Sequence, residues 1–158
     1  MGEKHLAIYL NDHFAGSTGG LELVKRARGA NEGTPLGEML GELEKEITED
    51  RETLRAIMSK LGVREDPVKS AAGWAGEKLG RMKLNGQLRG YSPLSRLVEL
   101  EGLYLGVTGK LSMWKSLEAA HGERLAGFDL AAMAKRAESQ RRRINSARTK
   151  VAAETLSA

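Results

Sequence analysis

Leucine and isoleucine recur along residues 36–61 at alternating spacings of four and three, and Asp50 stands where the next apolar residue is due. This spacing is typical of the buried face of an α-helix. The apolar members of the stripe are Leu36, Leu40, Leu43, Ile47, Leu54, Ile57 and Leu61. A lone carboxylate is too costly to bury in its ionised form. We therefore expect Asp50 to be neutral, paired, or bound to a ligand.

Each of the three prolines follows a residue that caps helices well, namely Thr34-Pro35, Asp66-Pro67 and Ser92-Pro93. Proline suits the first helical position because its missing N–H would be unpaired there. Asp129 can cap a last helix. Left-handed caps are expected where helices end, at Gly29 or Gly33, Gly62, Asn85-Gly86 and Gly122. The predicted helices span residues 3–29, 35–62, 67–84, 93–121 and 129–156.

Short loops join the first helix to the second and the fourth to the fifth, which predicts two antiparallel hairpins. The shorter third helix and the loop at residues 85–91 form the crossover between them. No segment alternates apolar and polar residues over the length of a strand. The predicted fold is all-α, a four-helix up-down bundle with a short fifth helix in the crossover, as one domain over residues 1–158.

Composition agrees with such a bundle. Aromatic residues make up only 4% of the chain, so the core must be mainly aliphatic, which suits packed helices. The sequence has neither an apolar run near the roughly 18 residues of a membrane span nor the pattern of a secretory leader. We therefore expect a cytoplasmic protein with no membrane span. The absence of cysteine excludes disulfides, thiolate metal ligands and cysteine nucleophiles.

Each long helix also carries a polar residue on or near its apolar stripe. In chain order these are His13, Asp50, Glu101 and Gln140. Ser17 lies one turn after His13, Glu46 lies one turn before Asp50, and Arg141 and Arg148 lie at the edge of the last stripe. If the midpoints of the helices align, these groups meet in the interior.

The helix plan and three stretches of sequence resemble the ferritin-like superfamily, and more loosely its small stress-associated bacterial members. The stretches are YLND at residues 9–12, EKEITED at residues 44–50, and VELE at residues 98–101 leading to Trp114. The resemblance extends over almost the whole chain and implies a ferritin-like topology. It also implies a di-metal site made from a Glu on each of two helices and a Glu-x-x-His on each of the other two.

The chain departs from that ligand pattern, because none of its three histidines stands three residues after an acidic residue. When positions of this chain are matched to the family's motif, Glu46 or Asp50, together with Glu101, stand at former metal-ligand positions. The last helix offers Glu138 followed by Arg141 where the family has Glu and His.

A guanidinium can bond two carboxylates but cannot ligate a metal. We therefore predict that Arg141 or Arg148 reaches toward Asp50, Glu46 or Glu101 and closes the old metal position. Two alternatives stay open. In one, Asp50 and Glu101 lie near the ends of the buried zone and face solvent. In the other, the chain binds iron or manganese through Glu46, Asp50, Glu101, His13 and Glu138.

The basic character of the chain belongs to its last helix. Residues 135–150 hold seven basic residues and one acidic residue, a net charge of +6, whereas the whole chain carries +4. Nucleic acid or a ribosome could dock there through Arg141, Arg142, Arg143 and Arg148. Alternatively, residues 38–55, with seven acidic and three basic residues, complement this helix within the bundle or across a dimer.

Several smaller signals have structural explanations. The stretch GSTGG at residues 16–20 lacks the lysine and the preceding strand of a phosphate-binding loop. We expect Gly16, Gly20, Gly102, Gly106 and Gly109 to serve close packing of helices or subunits. His13 and Ser17 are better explained as a buried histidine bonded to a hydroxyl than as a catalytic pair, and Trp74 and Trp114 as core anchors.

The predicted function is that of a non-enzymatic, degenerate ferritin-like bundle, without cofactor or catalytic residue, acting as an interaction or stress-associated protein. A polar cluster of His13, Glu46, Asp50, Glu101 and Arg141 would replace the metal site. The alternatives are a divergent di-metal protein holding iron or manganese, and a nucleic-acid-associated or ribosome-associated basic bundle. We expect a protein partner or a homo-oligomer.

Overall fold

The computed structural model describes residues 1–69 and 90–157, and within these ranges the chain is almost entirely helical, with no strand. We label the long helices α1 (Gly2–Ala30), α2 (Pro35–Lys60), α3 (Pro93–His121) and α4 (Leu130–Leu156). A 3-10 turn, Pro67–Lys69, lies between α2 and α3. The prediction of an all-helical fold is confirmed. The rest of the predicted third helix, with Trp74 and Asn85-Gly86, lies outside the described residues.

Helices α2, α3 and α4 begin at the capping residues predicted from sequence. The Thr34 hydroxyl accepts a hydrogen bond from the Gly37 N–H at 3.1 Å, and the Ser92 hydroxyl accepts one from Ser95 at 3.1 Å. The Asp129 carboxylate accepts the Ala132 N–H at 2.9 Å. These bonds satisfy backbone donors that have no partner within the helix.

Only some of the predicted helix ends use a left-handed glycine. Gly33 and Gly62 have φ of 76° and 72°, which glycine adopts without a steric penalty. Gly122 instead has φ of −50°, a right-handed conformation, so the prediction of a left-handed cap there is wrong. The chain continues from Gly122 in a turn, where Leu125 donates its N–H back to His121 at 3.0 Å.

Each of four helix pairs is antiparallel, because residues early in one helix meet residues late in the other. Two pairs involve α1: Arg28 bonds Glu44 and Arg51 bonds Thr18 between α1 and α2, while Arg26 pairs with Glu99 and Arg96 bonds Asn31 between α1 and α3. The other two pairs involve α4: Arg143 bonds Glu46 and Arg136 bonds Asp50 between α2 and α4, while Arg148 pairs with Glu101 and Lys110 bonds Gln140 between α3 and α4.

The core lies between these helices and is mainly aliphatic, as composition predicted. Trp114 is its largest fully buried side chain, at 1% exposure. Other fully buried members are Leu10, Leu40, Leu43, Ile57, Leu100, Leu117 and Ile144. None of the helices in the described part of the chain is long and apolar enough to cross a membrane.

Asn31, in the turn between α1 and α2, closes one end of the core. Its amide donates to the Ala27 carbonyl at 2.7 Å and to the Tyr91 hydroxyl at 2.9 Å, and its oxygen accepts from Arg96 at 2.8 Å. The first turn of α2 packs directly against it, because Gly37 has no side chain.

We predict that Gly37→Ala destabilises the fold. A Cβ at this position would lie 2.1 Å from the Asn31 carbonyl oxygen, so the backbone would have to move. The free energy of unfolding should fall by about 1–3 kcal/mol. Gly20→Ala is the matched control, since no atom lies within 4 Å of its added Cβ. It should gain about 0.5–1 kcal/mol of helix propensity. Urea denaturation followed by circular dichroism measures both, and equal changes would contradict the prediction.

Candidate functional site

Asp50 is at the centre of a charged group of side chains inside the bundle. It lies on α2 and is 2% exposed. Arg136 of α4 bonds Oδ1 through Nε at 2.9 Å and also through Nη2. Lys110 of α3 bonds Oδ2 through Nζ at 2.6 Å. One carboxylate thus joins three helices.

Gln140 of α4 extends this group. It is fully buried, accepts a hydrogen bond from Lys110, and donates to Asp50 Oδ2 at 3.1 Å and to Glu46 Oε2 at 2.9 Å. At the rim, Arg143 bonds Glu46 at 2.6 Å and Arg136 bonds Glu49 at 2.7 Å. We call the seven residues the ionic cluster: Glu46, Glu49, Asp50, Lys110, Arg136, Gln140 and Arg143. Its three acidic and three basic side chains balance in charge.

Burial and pairing act in opposite directions on the two cations at Asp50. Burial lowers the pKa of Lys110, and the nearby Asp50 carboxylate offsets part of that effect. Burial alone would also lower the pKa of Arg136, but its bonds to Asp50 and Glu49 outweigh burial and raise it. Arg136 therefore stays cationic and is the permanent counter-charge of Asp50.

The ionic cluster includes only part of the predicted one. Glu46 and Asp50 meet, whereas His13 packs edge-on against Tyr9 with 4.6 Å between ring centroids. Glu101 is half exposed and pairs with Arg148 at 3.7 Å, away from Asp50. Arg141 has no ion pair with any described residue. The structure thus corrects the assignment of His13, Glu101 and Arg141 to this group.

Helical geometry explains why other basic residues replace Arg141. Arg136 lies four residues before Gln140 and Arg143 three residues after it, so all three share the face toward α2. Arg141, the next residue after Gln140, is rotated away by about 100°. The same helical spacing indicates that Lys110 faces the interior, because it lies three residues after Val107 and four before Trp114, both buried on α3.

Glu99 forms a second buried acidic site, which the apolar pattern of α3 did not predict. It lies on α3, is fully buried, and accepts a hydrogen bond from the Tyr91 hydroxyl at 3.2 Å. Arg26 Nε lies 3.2 Å from Oε1 as an ion pair without a well-formed hydrogen bond. Burial raises the pKa of Glu99 above its ordinary value. Helical spacing explains this burial, because Glu99 lies four residues before Leu103, which is also buried.

Three of the seven basic side chains of α4 are engaged in ion pairs within the bundle. Arg136 and Arg143 pair with acids of α2, and Arg148 pairs with Glu101 of α3. Of the four candidate anion-binding residues, only Arg141 and Arg142 have no ion pair with a described residue. The acidic stretch of α2 therefore complements part of the basic helix inside one chain.

The proposed metal ligands do not converge. In the described part of the chain, no three His, Asp or Glu side chains gather in a geometry that could hold a metal ion. Glu138 pairs with Lys115 at 3.7 Å, and both are well exposed. The oxygens of Glu46 and Asp50 are bonded to cationic or amide N–H groups. These residues do not fit a di-metal centre.

No family model, curated protein or solved structure matches this chain.

A cavity of about 430 Å³ lies between α1, α2 and α3, beside the ionic cluster. Asp50, Lys110 and Trp114 form part of its wall. Its other walls carry the glycines for which close helix packing was predicted. Only Gly102 is tightly packed, with Leu23 Cδ2 3.1 Å from where its Cβ would be. A Cβ at Gly16, Gly20, Gly106 or Gly109 would meet no atom within 4 Å, so the prediction of close packing between helices of one chain is wrong for these four. Close packing between subunits stays a prediction.

His13 and Ser17 also line this cavity but do not form a pair. The Ser17 hydroxyl donates to the Phe14 carbonyl at 2.6 Å, so the predicted bond between His13 and the hydroxyl is not present. Burial lowers the pKa of His13, and Asp12 opposes this effect only in part. His13 is therefore neutral at neutral pH.

We predict that Asp50→Ala strongly destabilises the protein. The substitution leaves Lys110 and Arg136 in the interior without their shared carboxylate. Breaking a buried ion pair from one side costs about 3–5 kcal/mol of unfolding free energy. Glu49→Ala is the matched control, because the Glu49 side chain pairs with the same arginine but is 66% exposed. It should cost no more than about 1 kcal/mol. Chemical denaturation of both variants tests the difference, and similar losses would contradict it.

We predict that Glu99 makes stability fall as pH rises. Because burial raises its pKa, the folded protein binds this proton more tightly than the unfolded chain does. The loss should run from the ordinary pKa of 4.5 up to the raised value in the folded state. Glu99→Gln should therefore remove this loss and be more stable than the wild type at neutral pH.

The measurement is urea denaturation at a series of pH values from about 4 to about 8. Glu101→Gln removes the same charge two residues away, from a half-exposed side chain, and serves as the control. A Glu99→Gln protein that is less stable than the wild type at neutral pH, or a control with the same gain, would show that the assignment is wrong.

Proposed function

We propose that this chain is a non-enzymatic, ferritin-like helical bundle in which the ionic cluster occupies the interior position that a di-metal centre holds in that family. It acts through its surface, as an interaction or stress-associated protein. The observation that carries this proposal is the bonding of both Asp50 oxygens, one by Arg136 and the other by Lys110 and Gln140.

The charges of the ionic cluster explain why Asp50 needs no metal ion. An arginine and a lysine supply at Asp50 the positive charge that a bound cation would otherwise provide. A metal ion would have to displace them, which would leave two buried cations without a counter-charge. That cost, about 3–5 kcal/mol for one broken pair, opposes metal binding.

The helix directions support a ferritin-like topology. Since α2 and α3 are each antiparallel to α1, they run parallel to each other. The end of α2 and the start of α3 therefore lie at opposite ends of the bundle. One long crossover of this kind between two hairpins is a feature of ferritin-like folds.

The contacts favour this proposal over its two alternatives. A divergent iron or manganese protein would need Glu46, Asp50, Glu101, His13 and Glu138 to converge, and of these only Glu46 and Asp50 share a bonding partner, Gln140. A nucleic-acid-binding bundle would use the basic side chains of α4, and three of the seven, Arg136, Arg143 and Arg148, are each paired with an acid of the same chain.

We predict that the purified protein binds neither manganese nor ferrous iron stoichiometrically. After anaerobic incubation with each metal and desalting, elemental analysis should find well below one equivalent, with no rise in melting temperature. Asp50→Asn is the control, since it removes the carboxylate at the centre of the cluster. One or two retained equivalents in the wild type that this variant loses would overturn the proposal and favour the di-metal alternative.

A further inference from the structure

Helix α3 carries a second stripe of residues on the side opposite the core. Leu103 and Val107, two residues to either side of Leu105, are buried, whereas Leu105 is 67% exposed and Leu94 is 42% exposed. Exposed apolar side chains in a row mark a contact surface. We call the six residues that recur there at alternating spacings of four and three the outer stripe: Leu94, Val98, Glu101, Leu105, Thr108 and Ser112. The outer face of a surface helix is normally charged, but Glu101 is the only charged member of this stripe.

Three glycines beside the outer stripe leave room for another backbone. Gly102, Gly106 and Gly109 each follow a stripe residue by one position, so they lie along one flank of it. A Cβ at Gly106 or Gly109 would meet no atom within 4 Å. Glycine permits a close approach of two backbones. A second helix can therefore lie near α3 on this side.

The charges on the other flank are incompletely paired within one chain. Glu101 is half exposed, and its ion pair with Arg148 of α4 is long, at 3.7 Å. An exposed ion pair at that distance contributes little to stability. Arg141, also on α4, has no ion pair with any described residue. The chain thus presents one loosely paired acid and one unpaired base.

Arg141 lies on the flank of α4 that faces α3. It stands three residues after Glu138 and seven before Arg148, and both of these pair with residues of α3. The residue before it, Gln140, bonds Lys110 of α3, so Arg141 lies level with Gly109 in this antiparallel pair. Along α3, Gly109 lies four residues after Leu105 and Glu101 four residues before it. The unpaired base and the loosely paired acid therefore lie on the same flank, at equal axial distances from Leu105.

We propose that a second copy of this chain docks on the outer stripe, with the two α3 helices antiparallel about a two-fold axis at Leu105. Such an axis sets each residue opposite the one equally far beyond Leu105 in the other copy, and it keeps both α4 helices on the same flank. Glu101 of each copy therefore meets Arg141 of the other, and this contact forms twice. The two Leu105 side chains meet at the centre.

Charge complementarity favours a second copy over a different partner. The acid needs a base and the base needs an acid, and the two positions are exchanged by the same two-fold operation. The inference rests on the proposed function, in which the protein acts through its surface, and it names the partner.

Sedimentation of the full chain from about 1 μM to about 500 μM should show a monomer in equilibrium with a dimer. Leu105→Glu sets two carboxylates against each other at the centre, so it should weaken dimerisation by at least about a hundredfold. Ile8→Glu is the matched control, because Ile8 is 44% exposed on α1 and lies outside the outer stripe. It should dimerise as the wild type does.

A charge reversal tests the orientation of the two copies. Glu101→Arg and Arg141→Glu each place like charges opposite each other, and each should weaken dimerisation by at least about tenfold. The double variant restores opposite charges and should dimerise within about threefold of the wild type. Arg142→Glu makes the same charge change at the next residue, which is exposed, and should leave dimerisation unchanged.

Three results would overturn the inference: a monomer at every concentration, a dimer that Leu105→Glu leaves intact, or a double variant no better than its single variants. A monomer would leave the outer stripe to a different protein partner. Circular dichroism checks that each variant keeps its helical content. Metal content is measured separately, so a monomer that retains no metal contradicts this inference alone, whereas a dimer that retains metal contradicts the proposed function.

Discussion

The burial of one carboxylate constrains the rest of this bundle. An ionised Asp50 inside the helix seam is unfavourable unless cations and donors surround it. Lys110, Arg136 and Gln140 arrive from two other helices and bond both of its oxygens. A shift of α4 by one turn would separate these partners. The ionic cluster therefore sets the register of α2 against α4, while the aliphatic core supplies most of the burial.

The ionic cluster and the cavity share Asp50 and Lys110. On one side Lys110 is neutralised by Asp50, and on the other it faces a space walled by glycines. Because the cluster is balanced in charge, it gives the cavity a polar end without placing a free carboxylate there. The interior thus combines two features that a fully packed bundle lacks, a closed set of ion pairs and an open apolar space beside it.

The candidate site was predicted from sequence in part, and helical rotation decides which part. Asp50 and Gln140 lie on apolar stripes, and both are buried as the periodicity indicated. Arg141 was chosen over Arg136 because it occupies the position where the family has a histidine, although it lies on a neighbouring face. Glu101 was assigned because it lies on or near the apolar stripe of α3, and matching to the family then made it a former ligand position. The buried residue is Glu99, because that face of α3 packs against α1.

The sequence by itself determined the four long helices, the starting residues of α2, α3 and α4, and two buried polar positions, Asp50 and Gln140. These depend on local effects, namely capping bonds, the fixed geometry of proline and the 3.6-residue period. Only the tertiary structure decided which arginine meets Asp50, that Lys110 joins them, and that the glycines border a cavity rather than a helix contact. Such facts depend on how the helices are rotated and spaced relative to one another, and no single helix carries that information in its own sequence.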